Sequence, residues 1–525
     1  MTKVLIADKM SPRAADILAE RGIEVDVEAG LDEAQLKTRI GAYDGLAVRS
    51  ATKVTKEALE SAEALKVIGR AGIGVDNIDV AAATARGILV MNTPFGNSIT
   101  TAEHAIALMF ALARMIPQAS ASTHAGKWEK SRFMGVELMG KTLGVIGCGN
   151  IGSIMADRAQ GLKMKVVAYD PYLTPERAQA LNVEKVELDG LLGRSDFISL
   201  HTPLTDATRD IIDAAALAKT KPGVRIINCA RGGLVVEADL KAALEDGHVA
   251  AAAIDVYPQE PARENILFGM ENVVATPHLG ASTSEAQEKV AEQVAEQIAD
   301  YLLTGAVVNA LNMPSVTAEE ASRLKPYMTL AQQLGSFAGQ VTETAIKAVT
   351  IEYDGHVAAL NTRALTGVVL QGLLAPLLET VNIINAPLIA KERNIAISEV
   401  THDRAGDYQT LIRLTVATEA QSRTVAGTLF AGDRPRIVEI RGISMDAELG
   451  PHMLIVTNRD RPGLIGTVGQ TLGEAGVNIA TYNLGRTESG GEAISLIGVD
   501  DAVGEDVVKK VRALPDVLQA KFLAF

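Results

Sequence analysis

A glycine-rich segment between an apolar strand and a helix constrains this chain more than any other feature. Residues 147–152, GCGNIG, follow the apolar run Leu143 to Ile146 and open a predicted helix that runs through Ala159. In this context the first glycine permits a tight turn, the second lets backbone N–H groups approach a pyrophosphate, and the third lets the helix pack on the strand. The pattern predicts a doubly wound α/β domain that binds a dinucleotide. The loop residues predicted to bind it are Gly147, Gly149, Asn150, Ile151 and Gly152.

An acidic residue ends the next predicted strand. Asp170 follows Lys165 to Tyr169 and lies about 20 residues beyond the glycine loop, where a carboxylate binds both ribose hydroxyls and repels a 2′-phosphate. The cofactor is therefore predicted to be NAD rather than NADP.

Length, charge and cysteine content narrow the class of protein. At about 150 residues per domain, 525 residues predict several domains. A net charge of -14, from 50 Lys+Arg and 64 Asp+Glu, repels polyanions, so no nucleic acid is expected as a partner. Two cysteines cannot build a disulfide framework or a four-thiolate metal site. No run resembles a signal peptide or a membrane span, so we expect a soluble protein of the cytoplasm, without a membrane partner or a metal.

The order of apolar runs predicts four units. Strands alternate with helical patterns in residues 3–90 and again in 142–275, as in parallel sheets. Residues 285–303 carry one apolar stripe, which predicts a helix that packs back on the first unit. The fold class is thus α/β, with two doubly wound parallel-sheet domains followed by an α+β domain and a βαββαβ ferredoxin-like domain. The predicted domains are residues 1–98 with 285–313, 99–284, 314–448 and 449–525.

Three polar residues stand where strands of the second domain should end. They are Arg231, Glu260 and His278. Ligands of open α/β sheets bind beyond the carboxyl ends of the strands. A histidine can take a hydroxyl proton, a carboxylate can fix its tautomer, and an arginine can grip a substrate carboxylate in a bidentate manner. Each residue alone is more often structural, but together they suit the oxidation of a 2-hydroxy acid.

These motifs resemble the D-isomer-specific 2-hydroxy-acid dehydrogenases over essentially the whole chain, and most closely their long-form phosphoglycerate branch. The similar segments are residues 143–152, 228–233 and 277–283. The resemblance implies a flavodoxin-like substrate domain, a Rossmann NAD domain, an intervening domain and a terminal ACT domain. It also implies that Arg231 anchors the carboxylate, Glu260 partners the histidine and His278 is the acid-base. The remaining implied cofactor contacts, besides Arg231 and His278, are Thr202, Pro203, Cys229, Asp255 and Gly280.

The first domain carries the narrower resemblance. Segments 48–52, 70–77 and 96–98 are similar to substrate loops of the phosphoglycerate branch, and Arg49 and Arg70 supply the positive pair that a phosphate needs. The implied substrate-binding residues, besides Arg231 and His278, are Arg49, Ser50, Arg70, Gly72 and Asn97. The segment 127–132 resembles a basic loop that relatives lend to a neighbouring subunit, through Lys130 or Arg132.

The resemblance at the carboxyl end implies regulation. ACT domains bind amino acids at interfaces between subunits, and the segments around residues 458–463 and 476–479 are similar to them. The implied effector is L-serine, held by Asn458, Asp460 and Asn478 in a homo-oligomer, a tetramer.

Three functions are compatible with these observations. The first is NAD-dependent oxidation of 3-phospho-D-glycerate to 3-phosphohydroxypyruvate, the first step of L-serine synthesis. The second keeps the chemistry but uses glyoxylate, hydroxypyruvate or 2-oxoglutarate as the substrate. The third is a non-enzymatic NAD sensor or corepressor on the same fold, since fold does not fix function. The complete set of Arg231, Glu260 and His278 favours an enzyme, and Arg49 with Arg70 favours the phosphorylated substrate.

Overall fold

The first sheet lies near the amino terminus of the computed structural model, which describes residues 2–378, 380–403 and 407–525. Its five parallel strands have the order β2-β1-β3-β4-β5, the flavodoxin-like order that was predicted. The strands are β1 (Lys3–Ile6), β2 (Glu24–Val27), β3 (Gly45–Val48), β4 (Val67–Arg70) and β5 (Leu89–Asn92). The helices are α1 (Arg13–Glu20), α2 (Glu33–Arg39), α3 (Lys56–Leu59) and α4 (Val80–Ala85), with a 3-10 turn at Ile40–Ala42.

A second, seven-stranded parallel sheet follows, in the order β12-β11-β10-β9-β6-β7-β8. Its strands are β6 (Thr142–Ile146), β7 (Lys165–Tyr169), β8 (Glu184–Lys185), β9 (Phe197–Leu200), β10 (Val224–Asn228), β11 (Val249–Ile254) and β12 (Val273–Ala275). The accompanying helices are α5 (Ser98–Arg114), α6 (Ile116–His124), α7 (Asn150–Gly161), α8 (Pro175–Ala180), α9 (Leu188–Arg194), α10 (Ala214–Ala218) and α11 (Glu237–Glu245). The doubly wound prediction is confirmed. Because every strand is parallel, the loops after β6, β7, β9, β10, β11 and β12 meet at one edge.

Helix α12 (Ser284–Thr304) returns the chain to the first sheet. Its stripe Val290, Val294 and Ile298 is buried in one apolar core with residues of β1 and β4. A Cβ added to Gly69 would lie 2.5 Å from Cγ2 of Val294, so the helix rests directly on β4. The helical stripe predicted for residues 285–303 therefore covers one face of a sheet whose strands lie about 200 residues earlier in the chain.

The next unit is a six-stranded mixed sheet in the order β14-β13-β15-β16-β17-β18, in agreement with the predicted α+β class. Its strands are β13 (Ile346–Gly355), β14 (Ala396–His402), β15 (Thr410–Thr418), β16 (Ser422–Phe430), β17 (Arg434–Ile440) and β18 (Ile443–Ala447). Its helices are α13 (Ala318–Val341), α14 (Thr362–Leu374) and α15 (Ala386–Glu392), with a 3-10 turn at His356–Ala359. Before α15, Nδ2 of Asn382 donates to the carbonyl of Gly87, 2.9 Å away, which joins this unit to the first domain.

The last unit has the predicted βαββαβ order. It comprises β19 (His452–Arg459), α16 (Leu464–Glu474), β20 (Ile479–Arg486), β21 (Glu492–Val499), α17 (Glu505–Arg512) and β22 (Val517–Ala524). The sheet is antiparallel in the order β20-β21-β19-β22.

Among the described residues, no single helix is both long and apolar enough to cross a membrane. Helices α5 and α6 reach that length and hydropathy only as a pair, and the pair is bent by 64°. Six residues of α5 and none of α6 are buried apolar residues, so α5 is a core helix of the second domain.

Candidate active site

The glycine loop after β6 has the three features that a dinucleotide loop needs. Gly147 has φ +89°, and a Cβ there would lie 2.6 Å from the carbonyl oxygen of His201. A Cβ at Gly152 would lie 2.0 Å from the carbonyl oxygen of Gly147, so only glycine lets α7 approach the strand. Gly149 faces open space, with no atom within 4 Å of its added Cβ. Gly149, Asn150 and the start of α7 are therefore accessible to a pyrophosphate.

Asp170 lies at the end of β7, against this loop. Its Oδ2 accepts a hydrogen bond of 2.8 Å from the backbone N–H of Cys148, and its Oδ1 accepts one of 2.8 Å from Tyr172. The carboxylate is thus fixed beside the glycine loop, as a ribose contact requires. After β9, Thr202 is half-buried and Pro203 is exposed. Cys229, after β10, is buried. Ile151 is half-buried in the first turn of α7.

We expect Asp170→Ala to weaken NADH binding and to relax discrimination against NADPH, because the carboxylate that repels a 2′-phosphate is removed. Fluorescence titration with both nucleotides measures the effect. Asp157→Ala, on the exposed face of α7, is the control and should leave both affinities unchanged. An unaltered preference in Asp170→Ala contradicts the ribose role.

His278 and Glu260 form a close pair in the loops after β12 and β11. Nδ1 of His278 lies 2.6 Å from Oε2 of Glu260, and the other carboxylate oxygen accepts the backbone N–H of Tyr257 at 3.0 Å. Burial alone would raise the pKa of Glu260, but the hydrogen bonds from His278 and Tyr257 outweigh it and lower that pKa. The ionised carboxylate therefore accepts a hydrogen bond from the Nδ1–H group, and Nε2 is left free as a base.

We expect Glu260→Gln to lower kcat for alcohol oxidation, because the amide carries no negative charge to stabilise the imidazolium that forms when His278 accepts the hydroxyl proton. Initial rates of NADH formation measure the loss. Glu264→Gln, a neighbouring exposed change, should keep the wild-type kcat, and an unchanged kcat in Glu260→Gln would remove this residue from the pair.

Arg231 reaches from the second domain to the first. Its Nε donates to Oδ2 of Asp76 at 3.0 Å, and its Nη1 donates to the carbonyl of Ala230 at 2.6 Å. Nη2 lies 1.8 Å from the position that a Cβ of Gly74 would take. A larger residue at position 74 would therefore collide with the guanidinium. The next residue, Gly232, abuts the backbone of Tyr257. The arginine turn and the loop that carries Glu260 are therefore in direct contact.

Arg49, Arg70 and Arg231 form an arginine cluster at the boundary between the domains. Burial, followed by the charges of Arg231 and Arg49, lowers the pKa of Arg70 to about 10, while the nearby Asp76 and Asp8 act in the opposite direction. Nε of Arg70 is buried without a hydrogen-bond partner among the described residues. The nearby carboxylates do not balance the positive charge of the arginine cluster. The cluster therefore favours an anionic ligand.

The other predicted substrate residues are Gly72, Ser50 and Asn97. Gly72 has φ +141°, and its missing Cβ leaves the space that Nη1 of Arg70 occupies. Ser50 is exposed next to Arg49. Asn97 is buried just before α5, and its Oδ1 has no hydrogen-bond partner in the described part of the chain. An unpaired buried acceptor suits a ligand donor.

Asp255 is completely buried at the end of β11 and is enclosed by donors. Its carboxylate accepts hydrogen bonds from the hydroxyl of Thr276 and from the backbone N–H groups of Leu279 and Gly280, at 2.6, 2.7 and 2.9 Å. Burial would raise its pKa, but these bonds and the neighbouring His104 lower it. The predicted carboxamide contact remains a prediction. What the structure adds is that Asp255 holds both sides of the loop that carries His278.

Two residues of this site, Thr101 and His104, were not predicted. Nε2 of His104 lies 3.3 Å from Oδ1 of Asp255, and the hydroxyl of Thr101 donates to the carbonyl of Gly280 at 2.9 Å. Their i, i+3 spacing on an apolar helix was the one available signal. His104, Cys229 and Asp255 bring three ligand-type atoms within 4.8 Å of one another. Burial raises the pKa of the Cys229 thiol, however, and the thiol form is a poor metal ligand.

The basic loop, residues 127–132, contacts acidic residues of the same chain. Arg132 forms ion pairs with Glu129 and Glu271. The contact of Lys130 or Arg132 with a second subunit stays a prediction.

The three predicted effector residues make separate contacts. Asp460 accepts hydrogen bonds from Arg486 at 2.8 Å and from the backbone of Gly490 at 3.3 Å, and these donors lower its pKa. Asn478 donates to Asp500 at 2.7 Å, and Asn458 is buried. An effector site that joins Asp460 to Asn478 requires a second subunit and stays a prediction.

Comparison with known proteins places this geometry in context. Residues 106–280 match the family described as D-isomer specific 2-hydroxyacid dehydrogenase, NAD binding domain. Residues 323–441 match the D-3-phosphoglycerate dehydrogenase intervening domain, and residues 452–516 match the ACT domain.

Relatives of similar length also match. The chain is 44% identical to a D-3-phosphoglycerate dehydrogenase of Methanocaldococcus jannaschii, over 98% of each chain. It is 41% identical to one of Bacillus subtilis, over 100% of this chain and 99% of the relative. Among solved structures, a glyoxylate reductase from Paecilomyes thermophila is similar at 30% identity with a TM-score of 0.55, covering 59% of this chain and 98% of that one. D-2-hydroxyisocaproate dehydrogenase is similar at 28% identity with a TM-score of 0.53, covering 59% of this chain and 99% of that one.

Proposed function

The chain belongs to the D-3-phosphoglycerate dehydrogenases, within the D-isomer-specific 2-hydroxyacid dehydrogenases, and from that premise we propose that it oxidises 3-phospho-D-glycerate to 3-phosphohydroxypyruvate with NAD. The observation that carries the proposal is that the arginine cluster, through Arg231 and Gly232, adjoins the loop whose Glu260 pairs with His278. The reaction is the first step of L-serine synthesis.

Each residue has a defined task in this proposal. Arg231 binds the substrate carboxylate, and Arg49 and Arg70 bind the phosphate. His278 removes the proton of the C2 hydroxyl through Nε2, while Glu260 stabilises the imidazolium that forms. Bound NAD would supply the acceptor for the hydride that leaves C2, so that the C2 alcohol becomes a carbonyl. The residues proposed to bind it are those of the glycine loop, with Asp170, Thr202, Pro203, Cys229, Asp255 and Gly280.

The test of the substrate is a comparison of two alcohols. NADH formation with 3-phospho-D-glycerate should exceed that with D-glycerate in kcat/KM, and Arg70→Gln should reduce the difference because one phosphate contact is lost. Arg86→Gln, in the turn after α4, is the control. Equal kcat/KM for both alcohols would favour a glyoxylate or hydroxypyruvate reductase, and binding of NADH without turnover of any hydroxy acid would favour a sensor.

The same proposal covers organisation and location. The domain boundaries are residues 1–98 with 285–313, 99–284, 314–448 and 449–525. The protein acts in the cytoplasm, where its two buried free thiols stay reduced. It assembles as a homotetramer in which ACT domains of different subunits pair.

Regulation by L-serine follows from that pairing. The carboxylate of Asp460 would accept hydrogen bonds from the ammonium group of serine. The side-chain amides of Asn458 and Asn478 would be further hydrogen-bond partners of the ligand. We expect Asp460→Ala to abolish inhibition by serine and to leave uninhibited turnover nearly intact, because coupling between distant sites is typically only ~1 to 3 kcal/mol. Asp501→Ala, exposed in the same domain, should stay sensitive. Wild-type turnover that is equal with and without millimolar serine would contradict the assignment.

A further inference from the structure

His278 has a backbone conformation that few residues adopt. Its φ is +56°, in the left-handed region, and the residue is not glycine. Such a conformation persists only where the surrounding contacts enforce it. The side chain is half exposed and makes one hydrogen bond, to Glu260. The contacts that hold the backbone must therefore be made by its neighbours in sequence.

Those neighbours all bind one carboxylate. Thr276, two residues before His278, and Leu279 and Gly280, directly after it, donate to the two oxygens of Asp255. Asp255 has no exposed surface. A buried carboxylate can clamp three donors in this way only while it is ionised, and an isolated buried charge is costly. The group that offsets this charge therefore decides how firmly the loop is held.

The imidazole of His104 is the side chain next to that charge. Its Nε2 lies 3.3 Å from Oδ1 of Asp255, within ion-pair distance, and has no hydrogen-bond partner among the residues that the structure describes. One turn earlier on α5, the hydroxyl of Thr101 holds the carbonyl of Gly280. Asn97, immediately before α5, is one of the residues proposed to bind substrate. One helix thus joins a substrate loop to the loop that carries the base.

We propose that His104 is a positioning residue that acts through Asp255 to hold the 276–280 loop, and with it His278, in the conformation needed for proton transfer. The kinetic part of this inference rests on the proposed function of His278. The structural part does not, because it concerns the backbone of Leu279 and Gly280.

Two variants separate the polar contact with Asp255 from packing. His104→Leu keeps much of the volume and removes the nitrogen that faces Asp255, whereas His104→Gln keeps a polar N–H group. We expect kcat to fall about 10- to 100-fold in His104→Leu, because a displaced general base loses its alignment with the hydroxyl. The dissociation constant of NADH should change by less than about twofold, and His104→Gln should recover most of kcat. His248→Leu, a similar change at a half-buried histidine of the same domain that binds Leu217 and Thr220, should retain wild-type kcat.

Hydrogen exchange gives a readout that needs no turnover. In the full-length protein, the peptide containing Leu279 and Gly280 should exchange faster in His104→Leu than in wild type, while peptides of the other domains stay unchanged. His104→Gln should exchange nearly as wild type does.

The results that overturn the proposal are distinct. They are wild-type kcat and exchange in His104→Leu, equal losses in the leucine and glutamine variants, or a loss confined to NADH affinity. If wild type itself does not oxidise 3-phospho-D-glycerate, the proposed function fails, and the exchange experiment still decides the role of His104.

Discussion

His278→Ala should lower kcat by a factor of about 10² to 10⁴, the usual contribution of a general base. The imidazole is the group that the Glu260 carboxylate orients with Nε2 free, and alanine offers no acceptor for the hydroxyl proton. Steady-state oxidation of 3-phospho-D-glycerate measures the loss. NADH affinity should change little, because the dinucleotide loop and Asp170 are untouched.

His124→Ala is a matched control, since that histidine is exposed at the end of α6. Its turnover should equal that of wild type. Turnover in His278→Ala within a few fold of wild type would mean that another group removes the proton.

Arg231→Ala should lower kcat/KM by a factor of about 10² to 10³, since the loss of one partner of a buried charge pair costs roughly 2 to 5 kcal/mol. The reason is the bidentate grip that a guanidinium has on a carboxylate. Because both alcohols carry the carboxylate, the loss should be the same for 3-phospho-D-glycerate and for D-glycerate. Arg70→Gln should affect the phosphorylated substrate alone.

Two further variants test this interpretation of Arg231. Asp76→Ala removes the carboxylate that holds Nε of Arg231 at 3.0 Å, so a smaller loss than that of Arg231→Ala is expected. Arg263→Ala, in the exposed segment after Glu260, should be neutral. A loss in Arg231→Ala that appears only with the phosphorylated alcohol would assign Arg231 to the phosphate.

The sequence predicted those parts of the site that follow from parallel strands. A parallel sheet brings the ends of its strands to one edge whatever the helices do, so the glycine loop, Arg231, Glu260 and His278 could be placed together from their order alone. The glycines of the loop agree with the dinucleotide pattern. A Cβ at Gly147 or Gly152 would collide with backbone atoms, and Gly149 faces open space.

Contacts set by helix packing were not predictable in the same way. His104 lies 151 residues before Asp255, and their approach depends on how α5 packs beside β10 and β11. The pair of Arg231 with Asp76 spans 155 residues and two domains. In the sequence alone, His104 is a polar residue in an apolar helix and Asp76 is an acid in a glycine-rich turn. The spacing of His104 from Thr101 is a weak local signal for His104, and nothing local distinguishes Asp76 from a surface residue.

The way in which α12 covers the first sheet also has a consequence for biosynthesis. The apolar surface of β1 and β4 is covered by Val290, Val294 and Ile298, which leave the ribosome only after the whole second domain has been made. At about 5 to 20 residues per second, the nascent chain carries this uncovered sheet for some 10 to 40 seconds, and exposed apolar surface invites aggregation. A chain that stops before residue 284 keeps that surface exposed permanently. Premature termination in the second domain should therefore yield an aggregating product rather than a folded amino-terminal fragment.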